Sequence, residues 1–600
     1  MTDVKLRKIL SRVDKPSRYC GGELNTPPIK DNAELNYLLC FPDVYEVAMS
    51  NLGIKILYGI LNNRPDTNCE SAYAPWSDMA AALREENEPL FSSETRRPMN
   101  EFDIIGFSMQ YELSYTGMLY MLDLGRVKLL SRERGEDDPI VMAGGPCVVN
   151  PLPLVDFVDL FSIGDGENTL DELAALYVEN KRAGGSRSDF LKKASLIDGV
   201  YVPCIGKKGV RRAVISDLDS AYFPTAAQVP NIEAVHNRAV LEIFRGCTRG
   251  CRFCQAGFIY RPVRERSVDT IVKYSKELID NCGFDEISLS SLSTCDYPDL
   301  RGLLKELKPI TDSRRVTIAL PSTRVDSFEA EFVEQSRKGS LTFAPEAGTQ
   351  RLRDVINKNV TEENIFTSMR NAFSKGYSSV KLYFMIGLPT ETDEDLLAIA
   401  DLANRIKQVY RECGSNKKRL TITVSASTFV PKPFTPFQWE RQISREEIHH
   451  KQELLKSALG KIRVNFNYHN SEMSILEAAF ARGDERLGAV LLCAYKKGCV
   501  FDSWGELFEP EKWWSAFDEC GVSPEEFTRE YSEDEALAWS FIDVGVDEEY
   551  FKSERAKSRS GETTPDCRGN CRLCGLQKSR KDAFKKSCAL HSKRALPEKC

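Results

Sequence analysis

The sequence predicts an α/β protein: an N-terminal doubly wound parallel sheet, then a (βα)6 partial barrel, then a mostly helical C-terminal region ending in a cysteine-rich basic tail. Three observations point there. Short apolar strand candidates alternate with amphipathic helical stretches before residue 170, and the alternation resumes from residue 239. One cysteine spacing, C-x3-C-x2-C, occurs twice, at Cys247/Cys251/Cys254 and at Cys567/Cys571/Cys574. Charge also separates late. Residues 501–550 hold sixteen acids against two bases, and residues 551–600 hold fourteen bases against five acids, so the end reads as an appendage.

At 600 residues the chain exceeds a single domain. The expected units are residues 1–170, a connector at 171–235, a barrel at 236–470, a helical acidic region at 471–550 and a basic tail at 551–600. Hydrophobic residues make up 42% and charged residues 28%, an ordinary globular balance that excludes a disordered or fibrous chain. The opening MTDVKLRKILSRVDKPSRY has no apolar stretch, and no run approaches the roughly 20 apolar residues of a membrane span. A soluble, cytoplasmic protein is therefore expected, with no membrane partner. Nineteen cysteines without a secretion signal favour metal or cluster ligation over disulfides.

The first strand candidates are residues 35–43, 102–110, 139–145 and 158–166, separated by helical stretches such as NLGIKILYGIL (51–61). Parallel sheets of this kind bind ligands at the carboxyl ends of their strands. Those ends carry Asp43, Ser108, Gly144-Gly145 and Gly164-Asp-Gly-Glu167. Residues 171–235 contain a helix, a Gly/Ser stretch and Pro-punctuated segments. Six further strands follow at 239–246, 286–293, 316–323, 340–348, 379–389 and 420–431. Six consecutive βα units imply a parallel barrel that works through the loops after its strands. Trp504, Trp513, Trp514 and Trp539 belong to the helical region as core.

The first cysteine set lies immediately after the first barrel strand. Three thiolates on one short loop can hold three irons of a cubane cluster and leave the fourth iron open, as a catalytic metal site requires. Gly246 and Gly250 let the loop wrap tightly. Arg245, Arg249 and Arg252 are expected to add positive charge that favours thiolate, and Phe253 to shield the cluster. A zinc knuckle is the bland alternative, but the next cysteine, Cys282, lies beyond a predicted helix.

C-x3-C-x-Φ-C after the first strand of a (βα)6 barrel resembles the radical SAM superfamily. The resemblance continues through APEAG (344–348), MIGLPTET (385–392) and SASTFVPKPFTPFQW (425–439). With the sheet domain in front, the chain is similar to cobalamin-binding-domain radical SAM proteins, specifically an uncharacterised bacterial branch with RGCTRGCRFCQAG (245–257). The resemblance implies a [4Fe–4S] cluster on Cys247, Cys251 and Cys254. It implies reductive cleavage of S-adenosylmethionine to a 5′-deoxyadenosyl radical, fed by a reductant such as flavodoxin or ferredoxin. Matching positions assign Glu346 a polar contact to S-adenosylmethionine, with a structural loop carboxylate as the alternative. They assign Gly387 and Pro389 to the adenine site. Relatives carry Gly-Gly-Glu after the second strand where this chain has Ser290-Ser291-Leu292-Ser293, which leaves the amino-group contact open.

The resemblance also implies a Rossmann-type cobalamin domain at residues 1–170. The family loop Asp-x-His-x-x-Gly corresponds to Asp43-Val-Tyr45, so the imidazole ligand to cobalt is replaced by tyrosine. Ser108, Gly144 and Gly145 stand where the family contacts the nucleotide tail; the alternative is that the glycines only make tight turns.

In the tail, Cys588 is a candidate fourth ligand beside Cys567, Cys571 and Cys574, for a second Fe–S cluster or a zinc ion, and His591 is an alternative zinc ligand. The basic tail is either an RNA contact or a solvated anchor. The leading functional expectation is a radical SAM enzyme, with cobalamin-assisted methyl transfer to an unactivated carbon. The alternatives are an RNA-modifying enzyme of methylthiotransferase type, which the far-end position of the second cysteine set disfavours, and a non-enzymatic Fe–S or cobalamin sensor.

Overall fold

In the computed structural model, residues 3–206, 209–321, 324–325, 341–413, 419–568 and 571–576 are described. The first sheet has six strands: β1 (Leu35–Phe41), β2 (Thr67–Tyr73), β3 (Ile104–Ser108), β4 (Ile140–Gly144), β5 (Leu160–Ser162) and β6 (Val200–Tyr201). Their order is β2-β1-β3-β4-β5-β6; the first five run parallel and β6 is antiparallel to β5. The chain leaves β1 to one side for β2 and returns to its other side for β3, which makes the β1/β3 boundary a switch point, where such sheets open a crevice.

Both faces of this sheet are covered, as the near-continuous apolar strands require. Leu35, Tyr37, Leu39 and Phe41 pack with the helices Leu52–Asn63 and Gly166–Arg182. Leu38 and Cys40 point into the larger core on the other face. That core includes Leu476, Val490, Trp513 and Trp539, so the C-terminal helices Ser471–Arg482, Leu487–Lys496 and Pro510–Cys520 cover the first sheet.

The stretch read as a connector is partly built into this unit. The helices Gly166–Arg182 and Arg187–Ala194 pack on the sheet, the second opening on a Ser186/Asp189 capping box, and β6 extends its edge. Farther on, β7 (Val210–Arg211) pairs with residues of the C-terminal region.

All six predicted barrel strands form. They are β8 (Ala239–Glu242), β11 (Glu286–Ser290), β12 (Thr317–Ala319), β13 (Leu341–Glu346), β14 (Ser379–Ile386) and β15 (Thr421–Thr428), with β9 (Phe244–Arg245) and β10 (Arg264–Glu265) as a short antiparallel pair. The parallel sheets are β12-β11-β8 and β13-β14-β15-β16. The last strand, β16 (Asn465–Tyr468), is additional to the six expected. It sits largely exposed at a sheet edge, so its sequence NFNY lacks the apolar run of a central strand. β17 (Ile542–Asp543) is the partner of β7. Among the described residues no helix is long and apolar enough to cross a membrane.

Candidate functional site

Two neighbouring regions concentrate the predicted residues: the cysteine loop on the barrel, and a cavity where the barrel meets the first sheet. The loop leaves β9 through Gly246, whose φ is +94°. A Cβ there would lie 2.6 Å from the main-chain oxygen of Tyr260, so only glycine fits the turn that begins the loop. Cys247, Cys251 and Cys254 are all half-buried. Burial, then the neighbouring Cys251 and Cys247, push the Cys254 thiol up to about 12. Loading a cluster on such a set must release their protons. Among the described residues no three His, Cys, Asp or Glu side chains converge as the ligands of a single ion.

The expected electropositive surround is corrected by the structure, because each loop arginine is already paired. Arg245 binds Asp165 at 2.9 Å, Glu167 at 2.8 Å and Glu242 at 2.9 Å. Arg249 donates to Asp296 Oδ2 at 2.8 Å. Arg252, fully buried, pairs with Glu554 at 3.1 Å and donates to the main-chain oxygens of Asp354, Val355 and Glu562. These residues tie the loop to its surroundings and have little charge left to lend the thiols.

Phe253 packs on a small apolar cluster that includes Ala347, Met385, Leu388 and Phe437. The cluster gathers neighbours of every predicted S-adenosylmethionine residue: Ala347 follows Glu346, and Leu388 lies between Gly387 and Pro389. Glu346 ends β13 at a bulge, with φ +68° and an ion pair to Lys358 Nζ at 3.0 Å. Bulges re-aim side chains at sheet ends, and a non-glycine residue held at positive φ is stored strain. The Gly387 amide donates to Glu391 Oε1 at 2.8 Å, and Glu391 is paired with Lys451 at 2.9 Å, which fixes the turn before the half-buried Pro389.

The cavity, about 420 Å³, lies at the carboxyl ends of β1, β3, β4 and β5. That is within the usual range for a small-molecule site. Ser108, Gly144 and Gly145 line it, as do Arg245 and Gly246, the residues leading into the cysteine loop, and Ser290–Leu292 after β11. Its wall includes Ser162 Oγ, a buried hydroxyl with no hydrogen-bond partner among the described residues. Such an atom ordinarily has a partner when the site is filled. Gly145 has φ +107°, and a Cβ would meet the main-chain oxygen of Met109 at 2.4 Å. Gly145→Ala is expected to cost about 1–3 kcal/mol of stability, read as a lower urea midpoint.

Asp43 is not part of the cavity wall. It accepts from Tyr111 Oη and from Trp504 Nε1 at 3.1 Å, locking the first sheet to the C-terminal region. Tyr45 is buried with its hydroxyl donating to Glu23 Oε1 and accepting from the Asn231 amide, both at 3.0 Å. It is thus engaged structurally and offers no free donor at the position of the family histidine. Sequence reasoning missed Lys432, Glu112 and Glu477. Lys432, in the loop after β15, is bound by both carboxylates at 2.8 Å and pins the barrel face to the first domain. Only the lysine inside the VPKPF run hinted at it.

Cys567, Cys571 and Cys574 lie beside the first loop, sharing a small cavity with Cys247. Cys588 and His591 fall outside the described residues, as does most of the basic tail.

Two family profiles match the chain: "Radical SAM proteins, N-terminal" over residues 53–203 and "Radical SAM superfamily" over residues 241–403. An uncharacterized protein of Methanocaldococcus jannaschii is 28% identical over 491 residues, covering 80% of this chain and 98% of that one. The tRNA-2-methylthio-N(6)-dimethylallyladenosine synthase of Erythrobacter litoralis is 24% identical over 270 residues, 42% of this chain and 56% of that enzyme. Among solved structures, the radical S-adenosylmethionine methyltransferase TsrM from Kitasatospora setae, with cobalamin and a [4Fe–4S] cluster bound, aligns with a TM-score of 0.45 at 14% identity. The alignment covers 65% of this chain and 74% of that one.

Proposed function

The chain belongs to the radical SAM superfamily, with N-terminal and core domains in one polypeptide, and from that premise we propose that it is a corrinoid-assisted methyltransferase acting on an unactivated carbon. It is a radical SAM enzyme whose cofactors are a [4Fe–4S] cluster and S-adenosylmethionine, so the sensor reading is set aside. In the proposal, Cys247, Cys251 and Cys254 hold the cluster, and Glu346, Gly387 and Pro389 flank the bound S-adenosylmethionine. When bound, the cluster and S-adenosylmethionine supply the radical that attacks the substrate. The chain's own part is to orient and to exclude water. Phe253 closes the apolar side of the loop, Lys358 orients Glu346, and the Lys432 ion pairs hold the barrel face against the cavity.

The observation that carries the corrinoid is the cavity, which runs from Ser108, Gly144 and Ser162 to Arg245 and Gly246, the pair directly before the first cysteine. The orphaned Ser162 hydroxyl suits a polar ligand such as a nucleotide tail. Ser108, Gly144, Gly145 and Ser162 would hold a corrinoid here without help from Tyr45, whose hydroxyl is engaged by Glu23 and the Asn231 amide.

The test is anaerobic reconstitution with iron, sulfide and hydroxocobalamin, followed by S-adenosylmethionine and a strong reductant. Expected are 5′-deoxyadenosine, stoichiometric corrinoid, and S-adenosylhomocysteine once a methyl acceptor is present. At Gly144 a Cβ meets nothing closer than 3.5 Å, so Gly144→Val fills the cavity without straining the strand. That variant is expected to lose corrinoid uptake while keeping its melting temperature. A wild-type chain that cleaves S-adenosylmethionine yet takes up no corrinoid refutes the methyltransferase reading.

A further inference from the structure

The end of the chain is stitched to the cysteine loop. Thr248 Oγ1 donates to Asp566 Oδ2 at 2.7 Å, joining the residue after Cys247 to the residue before Cys567. Arg568 donates to the main-chain oxygen of Asp296 at 2.8 Å and to its Oδ1 at 3.0 Å. The Thr564 amide donates to Asn357 Oδ1 at 2.8 Å. Asp566 and Arg568 are buried, so this is packed structure and not a surface tether.

The packing sets Cys567, Cys571 and Cys574 around a cavity of about 60 Å³, whose wall also includes Cys247, Arg249, Arg261, Tyr550 and Arg572. Arg261 is buried. Its Nε donates to Gly257 O at 2.9 Å, and its guanidinium lies over the rings of Phe258 at 4.5 Å and Tyr550 at 5.6 Å. Among the described residues no carboxylate pairs with it, although its neighbours Arg252 and Arg264 each have one. A buried cation without an anion costs several kcal/mol, and thiols supply no anion until something deprotonates them.

We propose that Cys567, Cys571 and Cys574 hold a second iron–sulfur cluster, which supplies the anion that Arg261 lacks and lies against the back of the Cys247 loop. Assembly from two ferrous ions, two ferric ions and four sulfides involves no net redox change; it replaces each thiol proton by an iron–sulfur bond and leaves a thiolate-ligated core with net negative charge beside the guanidinium. The thiols repeat the spacing of the first set and surround a void instead of meeting at one point, which suits a compact inorganic core better than a single ion. This site does not depend on the corrinoid reading or on the first cluster.

The full chain is reconstituted anaerobically, and iron, sulfide and zinc are counted. About eight irons per chain are expected, about four in Cys251→Ser/Cys254→Ser, about four in Cys567→Ser/Cys571→Ser/Cys574→Ser, and none in the combination. About four irons in the wild type with no loss on changing the tail, or zinc in place of iron at the tail, overturns the proposal. A second measurement is independent of ligand loss. In the Cys251→Ser/Cys254→Ser background, Arg261→Met is expected to shift the remaining cluster's midpoint potential to more negative values, because a nearby cation stabilises the reduced, more negative core. An unchanged potential overturns the pairing with Arg261.

Discussion

Cys251→Ala is expected to bring 5′-deoxyadenosine formation down to the background of protein-free reductant and S-adenosylmethionine, with a melting temperature close to that of the wild type. The side chain is small and half-buried, so in chains compared before iron is loaded its loss removes little packing; once loaded, the wild type alone gains the cluster's stabilisation. The chemistry depends on it entirely. Three thiolates are the fewest that hold a cubane core while leaving one iron open, and two do not retain it. Arg252→Ala supplies the contrast. It removes one of two cations from buried Glu554, which keeps Lys557 at 3.0 Å and the Thr564 hydroxyl at 2.7 Å, and it leaves three main-chain oxygens without their donor, at a cost of about 3 kcal/mol. That variant is expected to unfold at lower urea while every iron ligand remains. Activity lost with stability kept marks a ligand, whereas both lost together marks a support.

Much of this architecture was legible because apolar runs and glycine turns are local signals. β1, β3, β4, β5 and the six barrel strands fall where the apolar pattern put them. β2 escaped because its sequence, TNCESAY, reads as polar although every residue is buried. Its polar groups are met by distant partners: Glu70 accepts from Ser92 and Thr95, and Asn68 is bonded to Lys30. The loop arginines failed for the same reason. Their acids come from Asp165, Asp296 and Glu554, which no local window connects to them. The tail is the sharpest case. Its basic composition read as an appendage, yet Thr248 and Asp566 are bonded across 318 positions. Distance along the chain was therefore a poor reason to separate the second cysteine set from the first.

Asp165→Ala is expected to cost about 3–5 kcal/mol. Asp165 stands at the N-cap position of the helix Gly166–Arg182, its side chain making no capping hydrogen bond, and is buried between the first sheet and the barrel. It binds Arg264, takes Arg245 at 2.9 Å, and accepts from the Ile215 amide at 2.8 Å. Without it, Arg245 keeps Glu242 and Glu167, but Arg264 is left buried with main-chain oxygens alone. Burial by itself would raise the Asp165 carboxyl; Arg264, Arg245 and Arg212 outweigh it and hold the carboxyl well below the ordinary range. A depressed folded-state value means the carboxylate stabilises the fold fully above its unfolded value of about 3.9, and that this contribution is lost as pH falls further. The urea midpoint of the wild type should therefore drop steeply below about pH 4, and that of Asp165→Asn, which cannot titrate, should drop less over the same window. Because Arg245 stands two residues before Cys247, the same variants are expected to retain less iron after reconstitution. An Asp165→Asn chain with wild-type acid sensitivity and a full iron count would show that this interface neither stabilises the fold nor sets the loop.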